Sequence, residues 1–284
     1  MNPPARPILR YHRGKWLLAP WIISHFPPHR VYVEPFGGAA SVLMQKPSSY
    51  SEIYNDVDGE IVNLFLVLRD EATAHELRRL LELTPFARIE YRAAFEECQE
   101  PVEQARRTVI RSFMGFGSNS LNRKIKGGFR SKSNRSGTTP AHDWVNWPNH
   151  ISEYVERLRG VVIENKDAAG VILQHDSAET LIYADPPYCH ETRMTVTQHG
   201  AHGYAHEMTD DDHRAFAKVL QSVSGMVVLS GYACPLYDEL FPSWQRIERP
   251  ALADGGLPRT EVLWINPACS GAIESSRSQQ RMFI

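Results

Sequence analysis

Cysteine is scarce in this chain and poorly placed for cross-linking. Its four residues, Cys98, Cys189, Cys234 and Cys269, are scattered without a CxxC pair, which argues against a disulfide framework and against a zinc site. No apolar run approaches the roughly 18 residues of a membrane span, and Met1-Asn2-Pro3-Pro4 lacks the charged-then-apolar order of a signal peptide. A cytoplasmic location, reduced thiols and no membrane contact are therefore expected. No internal repeat is visible.

Acidic residues are missing from one long stretch: between Gln104 and His142 there is no Asp or Glu. Arg106, Arg107, Arg111, Arg123, Lys124, Lys126, Arg130, Lys132 and Arg135 give it a charge of +9, so with a net charge of −2 the remainder carries −11. Segregation of this kind suits a polyanion partner. A solvated basic loop is the alternative.

The 284 residues, 42% hydrophobic and 23% charged, suit one globular core with room for an inserted subdomain. Short apolar runs at Val31–Glu34, Glu52–Tyr54, Val161–Ile163, Leu181–Ala184, Met226–Leu229 and Glu261–Ile265 read as strands. Helical patterns alternate with them. Asp58 caps one with Ile61, Val62, Phe65 and Leu68 on its buried face, and Thr209-x-x-Asp212 is a capping box ahead of Phe216, Val219, Leu220 and Val223. This is α/β grammar.

After Pro85 the alternation breaks. Helical stretches over 86–97 and 102–114 precede a segment rich in Gly, Ser, Asn and Lys that runs to Pro148. The division expected is a catalytic core of residues 1–84 and 151–284 with an insert at 85–150. Phe116, Phe129, Trp144 and Trp147 offer aromatic planes for nucleic-acid bases; the two tryptophans could equally pack the loop onto the core.

Asp185-Pro186-Pro187-Tyr188 follows the run Leu181–Ala184 directly. An exocyclic amine on an aromatic base is a poor nucleophile because its lone pair is delocalised into the ring. A carboxylate and a proline carbonyl can each accept a hydrogen bond from that amine, and two prolines stiffen the turn. Tyr188 offers a face on which an extruded base can stack. The tetrapeptide therefore points to methyl transfer onto a planar nitrogen; a strand-ending turn capped by Asp is the bland alternative.

Glu34-Pro35-Phe36-Gly37-Gly38-Ala39-Ala40 follows the first strand and opens a helix, where glycines let backbone approach a ligand. Asp56 lies 19 positions after Gly37 at the end of the second strand, placed to bind ribose hydroxyls. Nicotinamide enzymes share that layout, and the tetrapeptide decides between hydride and methyl chemistry.

With these motifs the chain resembles, nearly end to end, the Dam-like class of DNA methyltransferases, which methylate the N-6 amine of adenine using S-adenosylmethionine. Ile8-Leu9-Arg10-Tyr11-His12-Arg13-Gly14-Lys15 is similar to that class's N-terminal cofactor motif. The resemblance implies a Rossmann-like S-adenosylmethionine-dependent fold with an inserted, mostly helical and loop-rich DNA-recognition subdomain. It places Tyr11 by the cofactor adenine, Lys15 on the cofactor, Phe36, Gly37 and Gly38 at its methionine end, Asp56 on the ribose and Asp167 near the adenine, and it counts Asp185 among the cofactor-binding residues as well. One departure stands out: the family's Phe-x-Gly-x-Gly ends here in Ala40, which matters if that backbone needs positive φ.

The reaction implied is direct displacement on a flipped adenine in double-stranded DNA, with Asp185 and the Pro186 carbonyl orienting the amine. Arg111, Asn119, Asn122 and Arg123 are expected to read bases, and Lys124, Lys126 and Arg130 to hold phosphates. Cys189 is read as a bystander, since a nucleophile needs a supporting base. His190, His199, His202 and His206 form no tight set with Cys or carboxylate, so no metal is expected. An RNA adenine methyltransferase is the runner-up, and a catalytically silent nucleic-acid-binding protein of the same fold is the non-enzyme alternative. A monomer is plausible.

Overall fold

The computed structural model describes residues 3–11, 14–117, 121, 123, 127–131, 139–189, 207–252 and 258–282. In chain order the elements are α1 (Ala19–Ile23), β1 (Val31–Glu34), α2 (Ser41–Gln45), β2 (Ser51–Asn55), α3 (Gly59–Arg69), α4 (Glu71–Leu83), α5 (Arg88–Ala93) and α6 (Pro101–Met114). There follow α7 (Pro140–Asn146), a 3₁₀ turn (Trp147–His150), α8 (Ile151–Leu158), β3 (Val161–Glu164), α9 (Ala168–Gln174) and β4 (Thr180–Ala184). The chain continues through α10 (Asp210–Ser222), β5 (Met226–Tyr232), α11 (Pro235–Leu240), β6 (Gln245–Leu252), β7 (Pro258–Ile265) and α12 (Pro267–Met282).

The seven strands form one sheet in the order β3-β2-β1-β4-β5-β7-β6. β1 to β5 run parallel, and β7 is antiparallel to both β5 and β6. This mixed α/β architecture is consistent with an S-adenosylmethionine-dependent methyltransferase fold.

Both faces of the central strands are buried, as parallel sheets require. Side chains alternate across a strand, and here they divide between two cores. Tyr32, Leu181, Tyr183 and Val228 join one cluster with α3, α4, α6 and α8. Val33, Ile182, Ala184, Val227 and Leu229 join the other, with α9, α10 and α11.

Local chemistry starts the helices where the sequence indicates. Asp58 accepts from the Glu60 amide at 3.0 Å, and Thr209 and Asp212 close a reciprocal capping box at α10. Glu100 accepts from the Val102 and Glu103 amides, with Pro101 in the first turn of α6. β6 escapes the sequence reading because it is an exposed edge strand carrying Pro250, with none of the alternation of a half-buried strand.

The segment 85–150 does not carry a core of its own among the described residues. Val102, Val109, Ile110, Phe113, Trp144 and Trp147 pack in the same cluster as Tyr32 and Leu181. Of the two readings of the tryptophans, packing holds: both are buried, and their indole N–H groups donate to Thr84 O at 2.8 Å and Ile8 O at 3.0 Å. Among the described residues no helix is long and apolar enough to cross a membrane.

Candidate active site

β1 and β4 are neighbours whose following helices pack on opposite faces of the sheet. A crevice therefore opens beyond their carboxyl ends, where doubly wound folds bind ligands. It is a cavity of about 480 Å³. Tyr11, Lys15, Phe36, Gly37, Gly38, Asp56, Asp167 and Asp185, the eight residues singled out for cofactor binding, all line it. Pro187 also lines it, whereas Pro186 and Tyr188 lie buried behind.

The glycine turn is held from three sides. Gly37 N donates to Asn55 O at 2.8 Å, Gly38 N to Asp56 Oδ2 at 2.7 Å, and Tyr54 Oη to Gly38 O at 2.8 Å. A Cβ on Gly37 would stand 2.1 Å from the Tyr54 ring. Gly38 adopts φ +47°, and Ala40, two places on, is also left-handed at φ +51°. The backbone at the departing position thus does require the left-handed region, and alanine carries a strain there of about 1 kcal/mol.

Asp56 spends one oxygen on Gly38 N and the other on Asp58 N at 2.8 Å. A carboxylate oxygen can accept more than one hydrogen bond, and Asp56 lines the cavity. Asn55 was not anticipated from the sequence. Its side chain donates to Pro35 O and Lys166 O and accepts from Lys166 N, tying together the ends of β1, β2 and β3. Asp167 is exposed and caps α9 through the Gly170 amide at 3.1 Å.

The N-terminal arm reaches the cavity because α6, α8 and the 3₁₀ turn hold its backbone. Arg10 N donates to Ser112 Oγ at 2.7 Å, and Tyr154 Oη to Pro7 O at 3.2 Å. Lys15 is consequently buried against the tetrapeptide. Its Nζ lies 3.3 Å from Asp185 Oδ1, 2.5 Å from Glu261 Oε1, and 4.6 Å from the centroid of the Tyr188 ring. Tyr188 Oη and Ser230 Oγ donate to the same Glu261 oxygen at 3.0 and 2.9 Å. The stacking face expected of Tyr188 is covered in this structure, since the residue is buried beneath Lys15 and edge-on to Tyr232.

Glu34 closes the floor of the cavity. Burial pushes its carboxyl up to about 8, against hydrogen bonds from Tyr32 Oη and Leu43 N that favour the ion, with the Asp185 charge adding to the rise. The wall opposite is α10, whose Phe216 meets Phe36 edge to face at 5.1 Å.

The residues expected to touch DNA are not brought together in the same way. Arg111 is corrected outright: it is 0% exposed, donates to Ala94 O at 2.7 Å and pairs with Glu60, so it cannot read a base edge from this position. Arg123 pairs with Glu60 and donates to Gln104 Oε1 at 2.7 Å, and Arg130 lies 3.9 Å from Asp143. Arg106 and Arg107 are bound by Glu90 and Glu103. Much of the +9 read along the chain is therefore neutralised in space. Asn119, Asn122, Lys124 and Lys126 lie outside the described residues, as do Lys132 and Arg135. Phe116, at 70% exposed, is the described aromatic of the segment most open to a partner.

Cys189 faces Cys234 with the sulfurs 3.3 Å apart, both buried. The Cys234 thiol and burial push the Cys189 thiol up, opposite to what a nucleophile needs. His190, His199, His202 and His206 lie outside the described residues.

An α/β sheet of this order, with a glycine turn after β1 and Asp-Pro-Pro-Tyr after β4, defines a methyltransferase. The family is narrower still: residues 11–253 match the D12 class N6 adenine-specific DNA methyltransferase family, and the chain belongs to it. It is an adenine-specific DNA methyltransferase. Among its relatives, a DNA adenine methylase of Salmonella typhimurium is 24% identical over 273 residues, covering 90% of this chain and 92% of the relative. A DNA adenine methylase of Vibrio cholerae is 25% identical over 77% of each chain. One from Escherichia coli K12 is 26% identical over 64% of this chain and 65% of its own.

Proposed function

We propose that the protein transfers the methyl group of S-adenosylmethionine to the N-6 amine of an adenine flipped out of duplex DNA. The observation that carries this reading is the convergence of Tyr11, Lys15, the glycine turn, Asp56, Asp167 and Asp185 on one cavity. Its volume of about 480 Å³ lies in the usual range for a cofactor site. The donor set fits the cofactor's chemistry: acceptors on Asp56 and Asp167 for hydroxyl and amine groups, close-approach backbone at Gly37 and Gly38, and aromatic faces on Tyr11 and Phe36.

S-Adenosylmethionine supplies a methyl group activated by sulfonium charge. The chain's part is to prepare the amine. Asp185 and the Pro186 carbonyl accept hydrogen bonds from its two N–H groups, which takes the lone pair out of conjugation with the ring and offsets the positive charge that develops on nitrogen until one proton is lost. Pro186 and Pro187, lacking N–H groups, keep the turn from rearranging. Flipping the base costs a few kcal/mol, which phosphate contacts from Lys124 and Lys126 offset, with Asn119 and Asn122 as base readers. Arg123 and Arg130 join them only by leaving Glu60 and Asp143. No observation favours RNA over DNA, and a cytoplasmic monomer remains part of the proposal.

The test is transfer of labelled methyl from S-adenosylmethionine to unmethylated duplex DNA, with an RNA control and mapping of modified adenines. Asp185→Asn is expected to lower transfer by about a hundredfold or more while cofactor affinity, read by calorimetry, stays within about tenfold. Full transfer by that variant refutes the assignment of Asp185, and label in RNA alone refutes the DNA reading.

A further inference from the structure

Glu261 is the lone acid of β7, directly ahead of the apolar run 262–265, and is 1% exposed. A carboxylate so placed is costly to bury unless its charge is answered. Three donors converge on its Oε1: Lys15 Nζ at 2.5 Å, Ser230 Oγ at 2.9 Å and Tyr188 Oη at 3.0 Å. Two of the three come from the motifs that frame the reaction, the N-terminal arm and the tetrapeptide. The register explains the meeting. β7 places Glu261 opposite Tyr232 of β5 and Leu263 opposite Ser230, so the carboxylate and the serine share one face beside the end of β4.

We infer that Glu261 is a positioning residue for methyl transfer: by taking the closer bond from Lys15 and fixing Tyr188, it keeps Lys15 from pairing fully with Asp185. The inference rests on the proposed role of Asp185. The geometry sets out a competition. Lys15 lies 2.5 Å from Glu261 and 3.3 Å from Asp185, so one ammonium serves two carboxylates and leans toward the buried one. Its charge still supports the Asp185 anion, but at the longer distance it claims less of the carboxylate that is to meet the incoming amine. Without the Glu261 charge, Asp185 is the carboxylate that remains of the two ion pairs Lys15 makes among the described residues. The ammonium would then close on Asp185 and occupy the oxygen that the adenine needs.

Charge competition has a signature that a merely structural role lacks. Glu261→Gln keeps the size and a carbonyl acceptor for Tyr188 and Ser230 but removes the charge. At saturating S-adenosylmethionine its kcat should fall about tenfold or more, while the cofactor KM stays within about threefold. Adding Lys15→Met to Glu261→Gln removes the clamp on Asp185, so the double variant should be faster in kcat than Glu261→Gln alone. The inference is overturned if Glu261→Gln keeps kcat within about twofold of the parent, if kcat, cofactor affinity and melting temperature fall together, or if the double variant is slower than the single. A parent enzyme that transfers no methyl to DNA adenine takes down the proposed function and this inference together. An active parent with an unaffected Glu261→Gln takes down the inference alone.

Discussion

Gly37→Ala adds one methyl group at the point where the cofactor turn touches the core. An ideal Cβ at that position lies 2.1 Å from Tyr54 Cε2 and 2.5 Å from Cδ2, where carbon atoms ordinarily rest about 3.5 to 4.0 Å apart. The ring must therefore retreat by more than about 1 Å. It has little room to do so. Tyr54 is fully buried, its ring is stacked on Phe65 at 4.3 Å with the planes 22° apart, and its hydroxyl is tied to Gly38 O at 2.8 Å. Overpacking of this kind costs about 1 to 3 kcal/mol. Part of the displacement must pass to Gly38, whose amide binds Asp56, so cofactor affinity suffers along with stability. A share of about 1.4 kcal/mol corresponds to a tenfold loss.

Urea unfolding measures the first quantity and calorimetry with S-adenosylmethionine the second. The same substitution in a Tyr54→Leu background separates this cause from a general intolerance of the turn, because the clashing ring is gone and most of the added cost should vanish. A Gly37→Ala protein within about 0.5 kcal/mol of the parent, or an equal cost in both backgrounds, refutes the reasoning.

Glu60→Gln should destabilise the fold by about 2 to 3 kcal/mol in urea, because it strands the buried Arg111 guanidinium; the partial exposure of Glu60, 31%, trims the larger cost of breaking a fully buried pair. Adding Arg111→Met should restore most of the loss. Glu34 predicts a pH dependence of stability. Its folded carboxyl is raised from 4.5 to about 8, so the folded state holds a proton that the unfolded chain releases between those values. The stability it contributes is fully present below 4.5 and lost as pH rises through 8. Glu34→Gln should flatten that slope, and unfolding at about pH 5 and 9 checks it: an unchanged difference between the two conditions counts against a protonated Glu34.

What the sequence discloses and what it hides follow a physical division. The strands β1, β4 and β5 are legible because burial on both faces gives each a run of mostly apolar residues, and α3 and α10 because their caps are written within three residues of their starts. The cofactor turn and the tetrapeptide are legible for a related reason: each needs a particular local backbone, which only contiguous residues supply. Partners that act through proximity alone are subject to no such constraint. Glu261 meets Lys15 across 246 positions, and Glu60 meets Arg111 across 51. A count of charge along the chain is blind to both. It reads the acid-free stretch from Gln104 to His142 as cationic, although Glu60, Glu90, Glu103 and Asp143 approach it from outside and answer Arg106, Arg107, Arg111, Arg123 and Arg130. Attraction for DNA is accordingly proposed to rest on Lys124 and Lys126, which lie outside the described residues, and on Arg123 and Arg130 only once they leave Glu60 and Asp143. A run without acids signals a polyanion partner only after the acids that other segments bring to it have been subtracted.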